Sequence, residues 1–234
     1  MTPLFEKPVW RLVGDRGALV EYGDSITPEI NRKVRSMAMA IGKEHPRGIV
    51  EVIPTYRSLL IIYDPMETDV SHLQGELDSL EAHLDRLDIP PPRLVEIPVA
   101  YGGDFGPDIG FVAGFNELTV DEVVEIHSAA IYQIYMIGFT PGFPFLGGLS
   151  EQLHTPRLET PRALVPAGSV GIANNQTGIY PVASPGGWRL IGKTPLTLFV
   201  PSRRHPFLYE AGDLIKFVPI TVEEYHAVAA RGDG

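Results

Sequence analysis

The sequence predicts two domains of different class, an α+β unit followed by a β-rich unit that closes, or nearly closes, into a barrel. Apolar periodicity is regular in residues 1–89, a triple proline follows at Pro90-Pro91-Pro92, and residues 138–195 then combine two unlike properties. Nearly a third of that run is Gly or Pro, yet Phe139, Phe143, Phe145, Val165, Val170, Ile172, Tyr180, Trp188 and Leu190 pass through it. Disordered Pro/Gly sequence lacks such apolar content. The path is instead dictated by turns, because Gly permits positive φ and Pro fixes it. With 234 residues the chain can bury one large core or two modest ones.

Residues 9–13 and 18–22 read as strands joined by the turn Gly14-Asp15-Arg16-Gly17. Thr27-Pro28-Glu29 opens a helix with a capping residue, a proline at the first helical position and an early acid. Ile30, Val34, Met37 and Ile41 form its buried stripe. Strands at 49–53 and 59–63 and a second helix over about 69–87 follow. In that helix Leu73, Leu77, Leu80, Leu84 and Leu87 make a packing face; a short coiled coil to a partner is the sharper alternative. The order strand, strand, helix, taken twice, suits an antiparallel sheet with helices on one face. Three prolines cannot continue a helix and mark the boundary.

Beyond them, residues 94–100 read as a strand and Tyr101-Gly-Gly-Asp-Phe-Gly-Pro-Asp108 as a turn-rich loop. Thr119-Val120-Asp121-Glu122 has capping-box spacing and opens a helix expected to run toward Ile137. Short apolar segments at 169–173, 187–191, 196–200 and 214–219, separated by Gly and Pro, complete the barrel pattern.

Bulk properties exclude several function classes. A net charge of -10 argues against nucleic acid and anionic membranes. The absence of cysteine removes disulfides, zinc–thiolate sites and thiol nucleophiles. The start, MTPLFEKPVW, lacks a secretory pattern, and no apolar run reaches the roughly 20 residues of a spanning helix, so a soluble cytoplasmic protein is expected.

The chemical candidates each carry two readings. Gly187-Trp188-Arg189-Leu190-Ile191-Gly192-Lys193-Thr194 spells the phosphate-binding pattern G-x-x-x-x-G-K-[ST], but its interior suits a strand and Pro195 follows instead of a helix. Lys193 is then a point charge for an anion or a solvated lysine. His127 falls in the stripe Val120, Val124, His127, Ile131, Ile134, as a bonded core histidine or as a general acid/base. Arg157 and Arg162 form either a bidentate grip on carboxylate or phosphate or structural ion pairs. The amides of Asn174-Asn175-Gln176 suit substrate recognition or a local turn, and the loop Gly138-Phe139-Thr140-Pro141-Gly142-Phe143-Pro144 a pocket wall or a tight helix exit. No histidine pair has metal-ligand spacing, so no metal site of its own is expected, and no G-x-S-x-G occurs.

At these residues the resemblance becomes specific. The loop 101–108, His127 with Tyr132, Gly138-Phe-Thr-Pro-Gly-Phe-Pro-Phe-Leu146, Pro161-Arg162, Val165-Pro-Ala-Gly-Ser-Val-Gly-Ile172, Gly178-Ile-Tyr-Pro181 and Ser184-Pro-Gly-Gly-Trp188 with Gly192-Lys-Thr-Pro195 arrive in family order. Together they resemble the B-subunit family of prokaryotic ATP-dependent 5-oxoprolinase, also called allophanate hydrolase subunit 1. That family includes a sporulation histidine-kinase inhibitor and is similar to part of the carboxyltransferase region of urea carboxylase. The resemblance implies an α+β domain over 1–89, with a ferredoxin-like sheet and two helices, a proline linker at 90–92 and a cyclophilin-like β-barrel over 93–234.

It further implies a small-molecule hydrolase subunit, inactive without two partners, the 5-oxoprolinase C subunit (a second cyclophilin-like barrel) and the A subunit. In that reaction 5-oxo-L-proline, ATP and water give L-glutamate, ADP and phosphate. ATP enters as co-substrate with Mg2+, at a site on this chain or on a partner. Within that reaction Arg157, Arg162 and Lys193 are the candidate charge stabilisers and His127 the candidate proton-transfer group. Gln176 and Tyr180 are candidate substrate donors, and Phe139, Gly142 and Phe143 candidate pocket walls. Lys193 departs from the arginine that relatives often carry before Thr-Pro. The alternatives are inhibition of a sensor histidine kinase and a subunit of a urea- or allophanate-processing enzyme.

Overall fold

Local sequence signals set the first helix. Thr27 Oγ1 accepts the Ile30 N–H, Pro28 stands in the first turn and His45 ends the helix in a left-handed conformation. The computed structural model describes residues 4–84 and 91–231. The chain divides into two compact units, Met1–Pro91 and Pro92–Gly234.

The first unit runs β1 (Leu4–Val13), β2 (Gly17–Gly23), α1 (Pro28–Glu44), β3 (Ile49–Pro54), β4 (Ser58–Tyr63) and α2 (Val70–Glu81). Its sheet has the order β1-β2-β4-β3, with every neighbouring pair antiparallel. β2 and β3 therefore run parallel with β4 between them, the split βαβ of a ferredoxin-like sheet, begun one strand early. Val20, Tyr22, Leu59 and Ile61 from the sheet bury against Ile30, Val34, Met37 and Ile41 of α1 and Leu77 of α2. Each such aliphatic side chain contributes about 2 kcal/mol when withdrawn from water.

The described leucines of the row pack inside this unit. Leu73 and Leu77 are buried, and Leu80 and Leu84 lie against the same core as Leu77. These four described leucines leave no stripe for a coiled coil. The helix stops at Glu81, short of the expected end, while Leu87 and Pro90 lie outside the described residues.

The second unit opens with β5 (Leu94–Tyr101), α3 (Ile109–Phe115), α4 (Val120–Ala129), β6 (Ile131–Ile137) and β7 (Pro144–Gly147), and a 3-10 turn follows at Glu151–Leu153. Then come β8 (Arg162–Val165), β9 (Ser169–Ala173), β10 (Gln176–Ile179), β11 (Ser184–Gly186), β12 (Arg189–Lys193), β13 (Leu214–Pro219) and α5 (Val222–Arg231). Seven strands close a barrel in the order β10-β7-β6-β13-β5-β12-β9, and β8 with β11 forms a separate two-stranded sheet. Ile97, Val99, Tyr132, Ile134, Val170, Ile172, Ile179, Ile191 and Phe217 fill the barrel core. Closure removes the sheet edges, which fits the expected barrel class.

Three local expectations need correction. The helix that Thr119 caps ends at Ala129, and residues 131–137 are a strand. There the inward residues alternate, Tyr132 and Ile134 being fully buried while Ile131 is 54% exposed, so period 2 overrides the apparent helical stripe. The loop after Ile137 consequently joins two strands and is not a helix exit. Residues 196–200 make only an isolated bridge, Phe199 to Phe207. No helix of the described residues is long and apolar enough to cross a membrane.

Candidate functional site

Outside the barrel core, a second apolar cluster forms from Phe143, Val165, Ala173, Tyr180, Trp188 and Leu190. Beside it opens a cavity of about 150 Å³, lined by Phe139, Phe143, Phe145, Arg157, Tyr180, Gly186, Gly187 and Trp188. Phe143 is the pivot. Phe139, Phe145, Tyr180 and Trp188 all present edges or faces to it, with centroid separations between 5.1 and 5.6 Å and near-perpendicular planes. Gly178 lets these rings meet, because a Cβ there would stand 2.9 Å from Phe143 Cζ.

The β6–β7 turn builds one wall. Gly138 N–H donates to the Phe143 carbonyl and Phe143 N–H to the Thr140 carbonyl, which folds the loop tightly. Phe139 adopts φ 65° within it and is 69% exposed, a strained conformation for a large side chain held at the cavity mouth. Gly142, with φ 84°, lies behind the wall and gives its carbonyl to the Tyr209 hydroxyl at 2.9 Å. We expect Phe139→Asn to leave stability unchanged or raise it by up to about 1 kcal/mol, since Asn tolerates the left-handed region, while weakening ligand binding. Urea unfolding beside a binding titration checks both halves; a clear loss of stability would show that the exposed ring holds the loop.

The opposite wall holds Arg157 on a fixed backbone. Thr155 and Asn174 exchange both backbone hydrogen bonds, Arg189 Nε donates to the Pro156 carbonyl at 3.3 Å, and Leu158 N–H donates to the Gly187 carbonyl. Arg189 is itself stacked over Phe111, 3.6 Å from the ring centroid. Among the described residues the Arg157 guanidinium has no ion pair, and it is the sole charged group lining the cavity. Burial pushes the Tyr180 hydroxyl above the ordinary phenol range, opposed by the Trp188 backbone and by Arg157 and Arg162, so it stays a neutral donor. Two buried hydroxyls close in sequence to the lining residues, Thr140 Oγ1 and Ser184 Oγ, find no hydrogen-bond partner among the described residues.

Arg162, by contrast, is committed. Its Nη2 lies 2.8 and 2.9 Å from the two Asp108 carboxylate oxygens, and its Nη1 donates to the Trp188 carbonyl at 3.2 Å. The pair Arg157/Arg162 thus divides: one guanidinium faces the cavity and the other ties the framework.

His127 is fully buried in the barrel and absent from the cavity lining. Thr177 Oγ1 spends its hydrogen on the Gly171 carbonyl at 3.0 Å, so it accepts from His127 Nε2–H at 2.9 Å. Nδ1 then accepts the Tyr101 hydroxyl at 2.8 Å. Both ring nitrogens are satisfied in the neutral tautomer, the ring stacks on Phe217, and burial lowers its pKa to about 3. Of its two readings, the bonded core histidine is the one this geometry matches.

Gln176 lies on β10 opposite Ala173 and Lys193 at the end of β12 opposite Ala100, neither of them in the lining. β12 also settles the phosphate-loop spelling: residues 189–193 are a barrel strand with no helix after them. The sequence reading of the site missed Phe145, Gly186, Gly187 and Trp188. The signal was present, since Gly-Gly beside Trp is a place where backbone approaches a large ring closely.

Residues 8–209 match the family described as carboxyltransferase domain, subdomain C and D. The chain is 44% identical to the 5-oxoprolinase B subunit of Bacillus subtilis over 227 residues, 92% of this chain and 94% of that protein. Among solved structures, a conserved uncharacterized protein from Pyrococcus horikoshii matches with TM-score 0.56 and 50% identity, covering 93% of this chain and 100% of that one. Urea carboxylase of Kluyveromyces lactis matches with TM-score 0.75 at 22% identity, over 99% of this chain and 24% of that one, a likeness of fold. Matched nearly end to end at this identity, and carrying the family's glycine- and proline-punctuated motifs around one aromatic cavity, the chain belongs to the B-subunit family of 5-oxoprolinase.

Proposed function

We propose that this chain is the substrate-holding subunit of an ATP-dependent 5-oxoprolinase, its cavity receiving the five-membered lactam of 5-oxo-L-proline. The observation that carries the reading is the composition of the lining: aromatic walls, backbone glycines and one guanidinium that has no ion pair among the described residues. The methylenes of the lactam ring match those walls, and its carboxylate matches that cation. An apolar cavity of this size takes a benzene-sized guest.

The chemistry needs more than a holder. An amide carbonyl is a poor electrophile, and phosphorylating its oxygen by ATP supplies a leaving group before water opens the ring. The aromatic walls exclude bulk water, Arg157 fixes the carboxylate, and the Tyr180 hydroxyl is available as a neutral hydrogen-bond donor. Among the described residues no carboxylate or imidazole lines the cavity. Water activation and phosphoryl transfer therefore fall to groups from the two partners, the C and A subunits, and the chain alone is inactive. Among the described residues no group of three or more His, Cys, Asp or Glu side chains stands ready for a metal ion.

Reconstitution tests this. ATP-dependent glutamate release from 5-oxoproline is expected only when this chain is mixed with both partner proteins. Release that persists without it would overturn the reading.

A further inference from the structure

The cavity wall formed by Gly186, Gly187 and Trp188 is chemically soft, since two consecutive glycines impose little on the backbone. It is nevertheless fixed, and from outside the cavity. Asp108, only 8% exposed, ends the turn Gly102-Gly103-Asp104-Phe105-Gly106-Pro107 and lies far from Trp188 in sequence. That turn is seated by Gly102 N–H donating to the Ile191 carbonyl and Asp108 N–H to the Leu190 carbonyl. Gly106 has its Cα against the Ile191 carbonyl, where no side chain fits.

From this seat the Asp108 carboxylate accepts the Leu190 N–H at 2.7 Å and both contacts from Arg162 Nη2 at 2.8 and 2.9 Å. Arg162 then donates from Nη1 to the Trp188 carbonyl at 3.2 Å and pairs across β8–β11 with Gly186. One buried carboxylate and one guanidinium thus hold the wall at the Trp188 carbonyl and at the Leu190 amide, while backbone pairing of β8 with β11 holds it at Gly186. A planar fork with several donors is required, which lysine lacks.

We propose that Asp108 and Arg162 are positioning residues, a clamp that sets Trp188 against the cavity and thereby the fit of the ligand ring. The consequence for substrate rests on the 5-oxoproline reading; the placement of Trp188 does not.

The test uses the full chain carrying Trp10→Phe, which leaves Trp188 as the single tryptophan, since the sequence holds two. In that background Arg162→Lys and Asp108→Asn are expected to shift Trp188 emission to longer wavelength and to raise acrylamide quenching at least about twofold, with far-UV circular dichroism unchanged. In the reconstituted complex the same variants are expected to raise KM for 5-oxoproline roughly tenfold with kcat changed less than about twofold, because small misplacement of a binding wall is costly. Unchanged emission and quenching in both folded variants would overturn the clamp, and shifted emission with KM unmoved would overturn its consequence for the substrate. If the Trp10→Phe complex itself fails to saturate with 5-oxoproline, the substrate reading falls, and the emission measurement still decides the clamp.

Discussion

Arg157→Ala is expected to raise the KM of the reconstituted enzyme for 5-oxoproline roughly 30-fold while leaving kcat within a few-fold, from a charged hydrogen bond worth about 2 kcal/mol. The expectation rests on a contrast between neighbours. Arg162 is held by Asp108 and the Trp188 carbonyl, whereas Arg157, on an equally fixed backbone, has no ion-pair partner among the described residues and faces the cavity. Arg157→Lys keeps the charge but not the fork and should cost about tenfold. A second measurement separates carboxylate recognition from general damage. 2-Pyrrolidinone, the same lactam ring without the carboxylate, should compete equally well against wild type and Arg157→Ala. The wild-type KM should also rise with salt, because Arg157 is exposed at the mouth and screened there. Wild-type KM in Arg157→Ala would remove the residue from the substrate site.

The sequence was most legible where local chemistry is self-contained. Thr27-Pro28 and Thr119 with Glu122 cap helices as their spacing predicts, and β13 falls on the anticipated residues. Legibility failed where tertiary pairing decides. Residues 131–137 carry apolar side chains that fit helix and strand periods alike, and only pairing with β7 and β13 selects the strand. α3, with Gly110 and Gly114 inside it, has too little propensity to announce itself.

The site shows the same division. Residue type points to Phe139, Phe143 and Arg157, the family resemblance adds Tyr180, and all four line the cavity. The different fates of Arg157 and Arg162 were not legible, because Asp108 lies 54 residues from Arg162 in the chain. Nor could sequence decide whether His127 would face a cleft or the core; Thr177 and Tyr101, distant in sequence, close both of its nitrogens.

That closure makes His127 a determinant of acid stability. Its folded pKa of about 3 lies below the unfolded value of 6.5 because burial disfavours the charged ring. Between those values the unfolded chain binds a proton that the folded chain refuses. Stability therefore rises with pH through this window and is lost as pH falls below 6.5, with the loss levelling off only near 3. Lowering the pH from 8 to 5 should cost about 2 kcal/mol through this residue alone. Tyr101, Tyr132, Thr177 and Phe217 pack around the ring, and none of them carries charge in this range. His127→Gln isolates the effect, since its amide can donate to Thr177 and accept from Tyr101 without titrating. Urea unfolding at pH 8, 6 and 5 should show the variant less stable at pH 8, through lost contact with Phe217, and the gap narrowing by about 2 kcal/mol at pH 5. A gap that stays constant with pH would mean that the ring titrates in the folded state as it does in the unfolded chain. The same variant bears on catalysis: a proton-transfer group works with a pKa near the working pH, and a ring held near 3 does not meet that need. Folded His127→Gln is accordingly expected to keep kcat within about threefold of wild type in the reconstituted complex, where loss of a general acid or base would cost at least about a hundredfold.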